Sequence, residues 1–157
     1  MVLVAVLIGA TAACVNSIEG SIGITRTDDG GLAIAVAWCD RPARMGAAIL
    51  QPDPWKTIVV YANPKVGSGA EYEIIDMNSP AHPWQIEKGS AHLEPGIRYH
   101  VEAWPDDGKE GIFGQVEFTP EDVENLKPRQ VLKGIPGSVV SWDEFREDAK
   151  SVTCAFT

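Results

Sequence analysis

The sequence predicts a mainly β fold, a two-layer sandwich of seven strands followed by a short helical C-terminal extension. Three observations carry that expectation. Residues 93–104 pass from Leu93 through Pro95-Gly96, a tight-turn pair, into an alternation of Tyr99, Val101 and Ala103 against Arg98, His100, Glu102 and Trp104. That is the pattern of a half-buried strand entered at a sharp corner. Short apolar runs recur between Gly, Pro, Asn and Asp clusters across residues 21–118, the spacing of an antiparallel sandwich. Beyond residue 118 two helix-start signals appear, at Thr119-Pro120-Glu121-Asp122 and Ser141-Trp142-Asp143-Glu144.

A chain of 157 residues suffices for one domain with a true core and is short for two. The formal net charge is -9, and no Lys/Arg cluster overrides it. Such a surface repels a phosphate backbone, which excludes nucleic acid as the expected partner, and it disfavours electrostatic adhesion to anionic lipid.

Residues 1–13 are uncharged, and the run Val2-Leu3-Val4-Ala5-Val6-Leu7-Ile8 is far shorter than the roughly 20 residues of a spanning helix. Its length predicts a signal-peptide core. The following Gly9-Ala10-Thr11-Ala12-Ala13-Cys14 resembles a bacterial lipobox, with Thr11 where leucine is usual. The resemblance implies a lipid on Cys14, a tether over 14–20 and membrane attachment through that lipid; the alternatives are free secretion after cleavage near Ala13 and a buried N-terminal strand. Cys39 and Cys154 then remain as an even pair, a candidate disulfide in an oxidising compartment. The alternative is two reduced, buried thiols.

Within 21–118, Ser21 to Thr27 forms the first predicted strand, Asp28-Asp29-Gly30-Gly31 a hairpin turn, and Leu32 to Cys39 the second strand. There Leu32, Ile34, Val36 and Trp38 share one face, predicting burial, while Ala33, Ala35 and Ala37 on the other predict close cover. Arg41 to Lys56, with Pro42, Pro52 and Pro54, is expected to be a long loop. Strands are expected at Thr57–Tyr61, at Glu71–Ile75 (near an edge, with acidic residues outward), around Trp84 to Glu87, along the Tyr99 segment, and over Ile112–Phe118. Residues 119–157 form the extension. Thr119 caps a short helix with Pro120 at its first position. Ser141 to Glu144 is a capping box, and Trp142, Phe145 and Ala149 lie at helical spacing, an apolar stripe expected to lie on the sandwich.

The corner ending at Tyr99, and the run Leu32-x-Ile34-x-Val36-x-Trp38, resemble the tyrosine corner and the B strand of immunoglobulin-like and fibronectin type III domains. The resemblance covers about residues 21–118. It implies that Tyr99 and Trp38 are core markers and that the Tyr99 hydroxyl bonds to the chain just upstream. Such sandwiches host many activities, so the resemblance speaks to fold alone.

Chemistry-bearing motifs are sparse. There is no Gly-x-Ser-x-Gly, no Cys-x-x-Cys and no His-Glu-x-x-His, the usual signatures of a sheet-elbow nucleophile and of zinc. His82, His92 and His100 are scattered, and the Asp-Asp-Gly clusters at 28–30 and 106–108 fit hairpin turns better than a calcium site of six or more oxygens. Trp55, Trp84 and Trp104 are the binding candidates, because exposed aromatic rings suit sugar or peptide. The expectation is an exported, lipid-anchored envelope protein with a non-catalytic binding or structural role, no cofactor or metal, and a protein or glycan partner at the cell surface. The alternatives are an envelope enzyme with an acidic or serine site outside known motifs, and a carbohydrate-binding module.

Overall fold

The computed structural model describes residues 20–38, 42–67, 71–106, 108 and 111–153. Cys14, Cys39, Cys154, the signal segment and the tether up to residue 19 lie outside the described residues, while Gly20, the last residue of the expected tether, belongs to the first strand. The first hairpin pairs β1 (Gly20–Arg26) with β2 (Leu32–Trp38) in continuous antiparallel register. β3 (Met45–Pro52) and β4 (Trp55–Asn63) form a second hairpin. There follow β5 (Tyr72–Asp76), β6 (Gln85–Gly89), β7 (Tyr99–Pro105), β8 (Gly114–Phe118), α1 (Pro120–Glu124), β9 (Gln130–Lys133), β10 (Ser138–Ser141) and α2 (Trp142–Thr153).

The strands make two all-antiparallel five-stranded sheets, ordered β10-β9-β1-β2-β5 and β6-β4-β3-β7-β8. The fold is a mainly β sandwich compatible with an immunoglobulin or fibronectin type III-like arrangement. Among the described residues it has ten strands rather than seven. Two expectations are corrected. The stretch 41–56 is no long loop, since β3 occupies half of it and is the central strand of its sheet, between β4 and β7. Residues 119–157 are not simply appended, because β9 pairs with β1 and β10 with β9. An isolated parallel bridge between Val116 and Gly134 joins the two sheets on that side.

The interior lies between the sheets. Ile22, Ile24, Ile34, Val36 and Trp38 from the first sheet meet Met45, Ala47, Ile49, Val59, Tyr61, Tyr99, Val101, Val116 and Phe118 from the second. Trp38 lies 6.3 Å from Phe113, and Tyr99 6.0 Å from Phe118, measured between ring centres. Two buried tyrosines end their hydroxyls on backbone. Tyr61 donates to the Met77 carbonyl at 2.7 Å, tying β4 to the chain just past β5. The Tyr99 hydroxyl accepts from the Glu94 N–H at 2.8 Å. Between them, Glu94 to Ile97 is a turn with Gly96 at φ 73°, a conformation that favours glycine. The Gly96 N–H in turn donates to Glu121 at 2.8 Å, so α1 holds the corner from outside.

A second, smaller cluster lies on the outer face of the first sheet. Ala35 and Ala37 of β2 and Val131 of β9 are covered by Phe145 and Ala149 of α2. The alanines let the helix approach closely. Ser141 and Glu144 close the capping box at the start of α2, the Ser141 N–H donating to Glu144 and the Glu144 N–H to Ser141 Oγ.

Replacing Tyr99 with Phe keeps the ring packing and removes the acceptor for Glu94 N–H, and is expected to lower unfolding stability by about 1 to 2 kcal/mol. Chemical denaturation measures it. An unchanged midpoint would contradict this role for the hydroxyl.

Candidate functional site

A cleft of about 330 Å³ opens on the outer face of the first sheet, lined by Thr25, Arg26, Asp28, Tyr72, Ile74, Arg129, Trp142 and Arg146. Its position follows from the path of α2. The helix begins where β10 ends, with the Trp142 N–H bonded to the Arg129 carbonyl at 2.8 Å, and covers β1 and β2 while leaving the outer side of β5 partly open. Tyr72 and Ile74 are 39% and 41% exposed there.

The aromatic wall is ordered by ring contacts. Trp142 stacks on Phe145 at 5.6 Å and meets the edge of Tyr72 at 5.1 Å. The Arg146 guanidinium sits 5.4 Å from the Tyr72 ring centre, a cation–π arrangement that keeps the charge beside the ring. Arg146 also donates to Glu71 at 2.6 Å, with Lys150 at 3.6 Å from the same carboxylate. This contact with Arg146, aided by the Lys150 charge, holds the Glu71 carboxyl below its usual range.

The other two arginines are committed differently. Arg26 donates to the carbonyls of Val123, Gly30 and Glu124 at 3.1, 2.6 and 3.1 Å, which ties α1 to the β1–β2 turn. Its contacts are backbone dipoles rather than a carboxylate. Arg129 lies 3.6 Å from Asp143, with both side chains about three-quarters exposed at 74% and 77%, so this pair holds the guanidinium weakly. Arg129 also has φ 65°, the one non-glycine residue in the left-handed region among those described. The Thr25 hydroxyl donates to the Gln130 carbonyl at 2.8 Å.

The tryptophan candidates are not gathered into one platform. Trp84 is buried at 5% exposure, its indole N–H donating to Glu73 at 3.3 Å, which corrects its reading as an exposed ligand-binding residue. Trp55, at 64% exposure, and Trp104, half-buried, lie on the outer face of the second sheet. Trp55 packs 5.8 Å from His100, and His100 is four residues along β7 from Trp104, about 13 Å at the rise of a strand. Gly46 is paired with Trp104, and a side-chain carbon at Gly46 would overlap the indole, so that ring lies flat on the sheet. Trp38 and Tyr99 sit in the core. The Nε2 of buried His100 has no hydrogen-bond partner among the described residues and lies 4.0 Å from Glu102. Among the described residues no three His, Cys, Asp or Glu side chains are grouped as metal ligands.

The edge strand also departs from expectation. β5 does lie at a sheet edge, but Glu73 faces the interior beside the positions of buried Ile75 and Met77, while Tyr72 and Ile74 face out. An inward carboxyl is a device that discourages pairing with another strand. Burial raises the Glu73 pKa above its ordinary 4.5, offset in part by the Trp84 N–H.

Family models, curated proteins and solved structures return no match to the chain. Sequence periodicity does not assemble the cleft, because Tyr72, Arg129 and Arg146 come from β5, the turn before β9 and α2. The usable signal was the alternation of Tyr72 and Ile74 against Glu71, Glu73 and Ile75, which admits either face as the outer one.

A carboxyl whose folded pKa is raised binds more protons folded than unfolded between the two values. Its stabilising contribution is complete below about 4.5 and is lost as pH rises through the folded value. Glu73→Gln keeps an acceptor for Trp84 and removes that loss. Its stability relative to the unsubstituted chain is therefore expected to rise between about pH 4 and pH 7, read from denaturation midpoints. A pH-independent difference would contradict this.

Proposed function

We propose that this chain is an exported, non-catalytic binding module of the immunoglobulin or fibronectin type III-like kind, held at the cell envelope by lipid on Cys14, which takes its ligand in the cleft between α2 and β5. Export and anchoring are supported by the uncharged leader and the small residues before Cys14. The kinship is supported by the Tyr99–Glu94 bond and by the run β1-β2-β5 opposite β4-β3-β7-β8. One observation carries the binding role. Residues far apart in sequence converge on a concave surface as aromatic faces and guanidinium donors, groups that hold and orient a ligand.

A second reading is a carbohydrate-binding module, favoured by the flat Trp104 ring and exposed Trp55 on one sheet face. An NMR screen of small fragments separates them. The cleft reading predicts hits that perturb Tyr72, Trp142 and Arg146. Sugars that perturb Trp55 and Trp104 instead would transfer the function to the other sheet, and the absence of any saturable hit at the cleft would overturn the main reading. For the anchor, mass spectrometry of the mature N-terminus is expected to find a diacylglyceryl thioether on Cys14 as the first residue. An unmodified peptide spanning Ala13 and Cys14 would refute it.

A further inference from the structure

We propose that the cleft's ligand is a small carboxylate carried on an aromatic or branched apolar body. This rests on the cleft being the binding site and names the chemistry it selects.

The charges point to an anion. In a chain with net charge -9 and 13 Lys and Arg in all, three arginines line this one cleft. Arg146 is closely paired with Glu71. Arg26 is held by carbonyl dipoles, so its full charge is unopposed by any contacting carboxylate among the described residues. Arg129 has only the loose, exposed contact with Asp143, which an incoming carboxylate replaces at little cost. A guanidinium presents a planar fork of donors that matches a carboxylate in two parallel hydrogen bonds.

The walls point to an apolar body. Ile74, Tyr72 and Trp142 form one continuous surface, with the two rings fixed edge to face. An indole and a phenol so held accept a flat ring or a branched chain and lose little side-chain freedom in doing so. A volume of about 330 Å³ lies at the small end of ligand sites, which fits a molecule rather than a folded partner. Asp28 is the acidic member of the lining. It admits a carboxylate ligand that also bears an ammonium, so a free amino acid and a simple acid are two sources of the same recognised group.

The test is an NMR titration of the folded chain with 3-phenylpropionate, its uncharged isostere 3-phenylpropionamide, and L-phenylalanine. The acid is expected to perturb Tyr72 and Trp142 saturably and to bind roughly tenfold more tightly than the amide. Arg129→Asn removes the guanidinium while keeping a residue that tolerates the left-handed backbone. It is expected to weaken the acid roughly tenfold and the amide little. Tighter binding of L-phenylalanine than of the acid assigns the ammonium to Asp28, and weaker binding assigns the site to simple acids; both support the carboxylate. Equal affinity for acid and amide would overturn the carboxylate while leaving the cleft as a binding site. Failure of every probe to perturb the cleft would overturn both.

Discussion

The structure depends on a polar contact at the rim of the apolar interior, where the N–H of Glu94 in an exposed turn donates to the hydroxyl of buried Tyr99 at 2.8 Å. The phenol enters the interior between the sheets, 2% exposed, and needs a partner because a buried hydroxyl without one is costly. By finding it five residues upstream, it fixes the angle at which the chain leaves the 94–97 turn and enters β7. β7 then pairs with β3 on one side and β8 on the other, so the placing of three strands follows from one corner. α1 reinforces it from outside through Glu121 and Gly96, and Arg26 ties α1 back to β1 across the sandwich.

The same logic of close cover produces the cleft. Alanines on the outer face of β2 let α2 settle on Phe145 and Ala149. The helix does not cover the full width of the sheet, so the outer side of β5 stays open where Trp142 and Arg146 overhang it. Glu71 then anchors the helix side of the opening through Arg146 and Lys150. The inward Glu73, bonded to Trp84, marks the free edge of β5 as one kept from pairing with another strand. The opening is therefore better suited to a small ligand than to an added strand.

Much of this was legible in residues. Tyr99, Trp38, the large and small faces of β2, the capped start of α1 and the stripe Trp142, Phe145, Ala149 each carry a local signal that the fold uses. β3 was not legible, for a physical reason. A central strand is covered on both faces, and Met45 to Pro52 has Gly46 beneath Trp104 and alanines where neighbours press close, so neither alternation nor β-branching marks it. β9 and β10 have four residues each, too few for a period to show. The cleft escaped because Arg26, Tyr72, Arg129 and Arg146 meet only once α2 has docked, while the three tryptophans, conspicuous in sequence, were drawn apart by burial of Trp84.

The most direct measurement is native-state hydrogen exchange at the Glu94 amide. Glu94 lies in an exposed turn outside any strand, where a free N–H exchanges rapidly. Held by the Tyr99 hydroxyl, this amide is expected to be protected to the same degree as the β7 amides of Val101 and Ala103 and to open only with the whole sandwich. Exchange at the rate of neighbouring loop amides would contradict it.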